Sequence, residues 1–211
     1  MLVLISLIKV RLLTIMLLQR TSCLWYRERN KYIIQRINWR CTVILTDLSH
    51  RILAWNRKYF TEEIRNPYVD LVFLACNCSD IPLRDNTVDV VFSNGGFESM
   101  QDKMLLGVKD GYRILKPQGK AIYNMSLVDN HQSDNTKKWI ELYQSQSDSD
   151  ININNTVRDS SQWIFECRQA GFSSNKYIQI YEDMPAPDST FFPFENEVLQ
   201  WMACYVFVSE K

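Results

Sequence analysis

Three short apolar runs in this 211-residue chain end on polar residues. CTVILTD (41–47) closes on Asp47, VDLVFLAC (69–76) leads into Asn77 and Cys78, and VDVVFSN (88–94) closes on Ser93 and Asn94. Apolar runs of this length, bounded by turn formers, read as buried strands. In an open α/β sheet a ligand lies across the carboxyl ends of the strands, where the strand order reverses. A carboxylate at such an end, as at Asp47, can accept hydrogen bonds from both hydroxyls of a ribose. Asp47 has a competing use, which is to bond free N–H groups of the helix that follows. Asn77 with Cys78, and Ser93 with Asn94, divide in the same way between ligand contact and ordinary turn chemistry.

Other reactive side chains are few. The six cysteines (Cys23, Cys41, Cys76, Cys78, Cys167, Cys204) show no C-x-x-C spacing, and the histidines are His50 and His131. That spacing argues against a metal site. Cys76 and Cys78 alternate on a strand reading, so they should point to opposite faces and make a poor disulfide. Reduced thiols in the cytoplasm are the expectation. His131, just after a strand at 120–128, is the histidine placed to act as a base; a surface-loop role is preferred, and no residue is assigned as catalytic.

The elements that would position these groups follow from periodicity. Ser49 caps a helix over 50–64, with Ile52, Leu53, Tyr59 and Phe60 at helical spacing. Asn66-Pro67 breaks it. Residues 79–87 are a loop, and Gly95-Gly96 allows a sharp turn. A helix over 99–115 ends at Lys116-Pro117-Gln118-Gly119, a strand covers 120–128, and a short helix lies near Thr136–Tyr143. Residues 147–155 are polar and read as a mobile loop. Gly171 closes a helix over 159–172, and 176–183 and 201–211 are the last strands. Alternating strands and helices imply an α/β, Rossmann-like, mostly parallel sheet with helices on both faces. The last two strands flank a loop with no crossover helix, which favours an antiparallel strand at the end of the sheet.

The strand ending in Asp47, then IPLRDNTVDVVFSN (81–94), then YRILKPQGKAIY (112–123), resembles the class I S-adenosylmethionine-dependent methyltransferases, of the type 11-like group that acts on small molecules. The resemblance covers about residues 41–128, and the closing strands fit that family's sixth and seventh. It implies S-adenosylmethionine as cofactor and a small-molecule acceptor, with no nucleic acid expected. It also implies cofactor contacts at Asp47 and Leu48 (ribose side), Asn77 and Cys78 (adenine side), and Ser93 and Asn94 (beneath the sulfonium). Asn77 stands where the family often has an acid, and its amide oxygen can accept the same hydrogen bond. Asp89 matches a family acid and reads as structural. Phe191-Phe192-Pro193-Phe194 with Trp201 either line an acceptor pocket or are plain core, the latter preferred. A nicotinamide-dinucleotide oxidoreductase is the weaker enzyme alternative, since it too ends its second strand in an acid.

One family feature is missing. A glycine-rich loop should precede the ribose acid by some 20–25 residues, but the window is SCLWYR (22–27) and no glycine occurs before Gly95. Losing two or three backbone hydrogen bonds, at roughly 0.5–1.5 kcal/mol each, would weaken cofactor binding by about one to three powers of ten. Trp25 and Tyr26 would also crowd that space. The domain expectation is an atypical head at 1–29, outside a methyltransferase-like domain at 30–211.

Residues 1–40 hold eight Lys or Arg against Glu28, so the head is about +7 and the remainder about −7, for a net charge of zero. The first eighteen residues are apolar, but Lys9 and Arg11 sit mid-run, where each costs roughly 2.5–3.5 kcal/mol in a bilayer; a membrane role is disfavoured. The head is then a misjoined start, a mark of a truncated inactive relative, or a replacement first strand with a different cofactor loop, the first two preferred. Hydrophobic residues at 46% and aromatics at 12% exclude a disordered chain.

Overall fold

The computed structural model describes residues 13–17, 24–94, 96–97, 100, 103–128, 134, 137, 140–141, 158–181 and 202–211. The elements are β1 (Leu13–Leu17), α1 (Leu24–Gln35), β2 (Cys41–Asp47), α2 (His50–Glu63), β3 (Val69–Ala75), β4 (Val88–Asn94), α3 (Met104–Ile114), β5 (Leu115–Val128), α4 (Ser160–Gln169), β6 (Ser174–Tyr181) and β7 (Met202–Glu210). They build one seven-stranded sheet in the order β3-β2-β1-β4-β5-β7-β6.

Strands alternate their side chains between two cores. On one face Val43, Leu45, Val90 and Ile122 pack with Ile34 and Phe60 from the α1 and α2 side. On the other, Ile44, Val91 and Tyr123 pack with Met104 of α3 and Trp163 of α4. Burying each large apolar side chain contributes roughly 1.5–3 kcal/mol. A one-residue slip of β2 would turn each of them to the wrong face and carry Asp47 off its rim.

Residues 13–17 lie within the head, and they form β1 at the centre of the sheet. β1 pairs in parallel with β2 and with β4, Leu17 standing opposite Thr46 on one side and Ser93 on the other. Nothing in an eighteen-residue apolar run distinguishes a five-residue strand by period; the demand comes from β2 and β4, whose facing edges need a partner.

The C-terminal strand is antiparallel, as expected: β7 runs against both β5 and β6 and lies between them, with β6 outermost. One further expectation is corrected. Cys76 and Cys78 do not alternate on a strand, because β3 ends at Ala75. Cys78 lies inside the second core and Cys76 packs against the same cluster. Cys41, Cys76, Cys78 and Cys167 are free thiols.

Local signals hold where they specify hydrogen bonds. Ser49 Oγ accepts the Ile52 N–H (3.4 Å) at the start of α2. Asn66 does more than break the chain. Its Nδ2 donates to Ile34 O and Ile37 O at the end of α1 (2.7 and 2.8 Å), and its Oδ1 accepts the Tyr68 N–H. Asp159 Oδ1 caps α4 through the Gln162 N–H. Gly171, at φ +113°, closes α4, with Phe172 N–H donating to Cys167 O and Gly171 N–H to Arg168 O. Among the described residues of the 134–141 stretch, 134, 137 and 140–141 are helical. The segment 147–155 lies outside the described residues, as does the Gly95 half of the Gly95-Gly96 turn. No helix among the described residues is long and apolar enough to cross a membrane.

Candidate functional site

The order reverses on either side of β1, so the switch point lies at its carboxyl end. Register places the candidate residues around that point. Thr46 and Ser93 both stand opposite Leu17, so Asp47 and Asn94 each lie one residue beyond it, on opposite sides of β1. With neighbouring strands ≈ 4.7–4.9 Å apart, the two are separated by roughly 10 Å. On the outer side Asp47 stands opposite Ala75, and Asp47 O accepts the Cys76 N–H (3.1 Å). The chain leaving β3 towards Asn77 thus starts beside Asp47.

Asp47 is only 1% exposed. Its Oδ1 accepts the Ser49 N–H (2.7 Å), and its Oδ2 is buried with no partner among the described residues. Burial raises its pKa above the ordinary carboxylate range, and the Ser49 N–H opposes the shift. The turn therefore occupies one oxygen, and the helix cap proper falls to Ser49. Leu48 is 63% exposed, which leaves an apolar side chain standing in solvent beside that carboxylate.

Asn77 is exposed, and its Oδ1 accepts the Ser79 N–H (3.1 Å). A carbonyl oxygen has two lone pairs, so one acceptor direction remains. Cys78 is wholly buried and its thiol is pushed up to about 12 by desolvation. Only its backbone can face a ligand at this rim. Ser93 is buried, and its Oγ accepts the Phe97 N–H (3.1 Å), so its hydroxyl oxygen already holds the turn after β4. Asn94 ends β4 opposite Asn124 of β5; its side chain, His131, Phe191-Phe192-Pro193-Phe194 and Trp201 lie outside the described residues. Asp89 is in contact with Lys116 (Nζ to Oδ2, 2.9 Å) at the start of β5, a structural role.

The link from β1 to α1 is residues 18–23, LQRTSC, which contains no glycine. Trp25 and Tyr26 belong to the first turn of α1.

Sequence reasoning missed Asp110 and Arg113 of α3. Asp110 Oδ2 accepts the Ile81 N–H (2.7 Å) and Oδ1 accepts Arg113 Nε (2.6 Å). Arg113 also donates to Ile81 O, Leu83 O and Asp85 Oδ1 (2.7, 2.7 and 2.8 Å). The two residues pin the β3–β4 loop onto α3, and the bonds to Asp110 and then Asp85 raise the Arg113 pKa further. The available signal was Arg113 in Y-R-I-L-K-P, with an acid three residues earlier and a loop in need of donors.

The sheet order with one reversed strand, the switch-point acid and the loop clamp can be set against known proteins. Residues 30–123 match the model of the methyltransferase domain family. A ubiquinone/menaquinone biosynthesis C-methyltransferase of Stenotrophomonas maltophilia (strain K279a) is 30% identical over 87 residues, which are 41% of this chain and 33% of the relative. The chain thus matches about a third of that relative's length. The fold is that of a class I S-adenosylmethionine-dependent methyltransferase. A SAM-dependent methyltransferase of Thermotoga maritima superposes with a TM-score of 0.58 at 17% identity, covering 98% of this chain and 85% of the other. A phosphoethanolamine N-methyltransferase of Haemonchus contortus, in complex with S-adenosylhomocysteine, gives 0.61 at 16% identity, with 100% and 51% covered.

Proposed function

We propose that the chain binds S-adenosylmethionine at the carboxyl rim of β1, β2 and β4 and transfers its methyl group to a small-molecule acceptor. The observation that carries this reading is Asp47 Oδ2, buried and without a partner among the described residues at the switch point. An ionised oxygen held in that state is costly unless something completes it, and a ribose diol supplies the donors. Leu48 offers an apolar surface to the base and Asn77 an acceptor to its amino group. The Cys78 backbone and the β4 end at Ser93 and Asn94 complete the rim.

When bound, the sulfonium supplies an electrophilic methyl group. The chain's own task is to hold the acceptor in line and exclude water, and an acceptor that is already nucleophilic needs no base. The free thiols support a cytoplasmic setting.

A second reading is a non-enzymatic relative that keeps the fold. The lack of any glycine before Gly95 favours it, because glycine lets backbone approach a ligand closely. Calorimetry decides between them. Heat on titration with S-adenosylmethionine or S-adenosylhomocysteine, lost in Asp47→Ala, supports the enzyme. No heat from the native chain at millimolar cofactor leaves the non-enzymatic relative.

A further inference from the structure

The β3–β4 connection carries Asn77, yet among its residues the ladder contribution is a single bridge, Asn77 with Asp80. Asn77 O accepts the Asp80 N–H, and Asn77 Oδ1 accepts the Ser79 N–H. These bonds fix the turn internally but tie it to nothing else. Ahead of the turn Cys76 N–H bonds Asp47 O, and Cys78 within it is buried in the core; after it, both backbone groups of Ile81 are taken by α3, its N–H by Asp110 and its O by Arg113. A planar guanidinium can bond Asp110, Asp85 and two carbonyls at once because its donors form a rigid fork.

Resting on the cofactor reading above, we propose that Asp110 and Arg113 are positioning residues for the adenine subsite. By fixing Ile81 they hold the Asn77–Asp80 turn, and with it the base-reading amide, at the height of Asp47. Neither side chain needs to touch the cofactor. A residue that only stabilised the fold would alter all cofactor affinities alike. Positioning residues change the recognition of the base alone.

The test compares S-adenosylhomocysteine with its inosine analogue, in which a carbonyl replaces the adenine amino group. Binding of each is measured by calorimetry for the native chain, Arg113→Lys and Asp110→Asn, well below their unfolding midpoints. Arg113 is one-third exposed in its side chain, so Arg113→Lys leaves the core intact. We expect the native chain to prefer the adenine form, and Arg113→Lys to bind that form about tenfold more weakly, the worth of about one hydrogen bond. Affinity for the inosine form should hardly change. An equal loss for both compounds, or no loss, overturns the proposal while leaving the cofactor reading in place. A native chain that binds neither compound ends both. Amide exchange of the native chain covers the case of a variant that fails to fold. Slower exchange at Ile81 on binding S-adenosylhomocysteine, but not its inosine form, is the expected result; no difference refutes it.

Discussion

Asp47 pays for its position with stability. Desolvation raises its pKa in the folded chain. The unfolded chain therefore releases the proton first, and stability is lost as the pH rises from the ordinary carboxylate range through the raised value. Asp47→Asn keeps an oxygen for the Ser49 N–H and removes the buried charge. Its thermal midpoint at neutral pH should rise above that of the native chain while cofactor affinity falls, a pair of opposite signs that differential scanning fluorimetry and calorimetry can check. Native affinity should also drop as the pH falls through the Asp47 pKa, whereas that of Asp47→Asn stays flat. Much of this residue was legible beforehand, because an acid closing an apolar run has few uses. Ser93 was less so: the sequence places it at a strand end but does not reveal that its oxygen is committed to the Phe97 N–H.

At the level of elements, the β4–β5 junction stores strain. α3 ends at Ile114 and β5 begins at once, so the pairing jumps from Val88 with Leu115 to Val90 with Lys120, and residues 116–119 bulge out. Gln118 sits at φ 65° there. A non-glycine residue in that region costs on the order of 1 kcal/mol. Gln118→Gly should therefore raise the urea midpoint by the equivalent of about 1 kcal/mol. Gly171→Ala should do the reverse. Its φ is +113° and a Cβ would come within 2.6 Å of the Tyr112 ring; we expect a loss of roughly 1–3 kcal/mol in the same assay. The caps and stops were readable because each is a short-range hydrogen-bond requirement of one residue type. The bulge was not. Lys116-Pro117-Gln118-Gly119 reads as a helix stop, and only pairing with β4 draws Leu115 into a strand ahead of it.

For the molecule as a whole, the head matters most. β1 is bonded on both sides, so Ile15→Pro, which removes an N–H from a central ladder, should cost roughly 3 kcal/mol or more and show as a collapse of the thermal transition. A native-like midpoint in that variant would mean that the sheet does not depend on residues 13–17. Sequence alone could name the fold class from residue 41 onward, where period and turn residues agree. It could not place β1, whose position is dictated by strands far away in the chain. The same non-locality shapes how the chain acquires its structure. β7 follows β6 in the chain but inserts inside it, and Tyr123 of β5 reaches its stacking partner Phe207 and its hydroxyl neighbour Ser209 only through that insertion. Until Met202–Glu210 leave the ribosome, β5 presents a bare flank and half of an aromatic core. Pairings so distant in sequence form slowly, and the nascent chain is exposed to mispairing for that interval; its yield should respond to chaperone supply more than its finished stability would suggest.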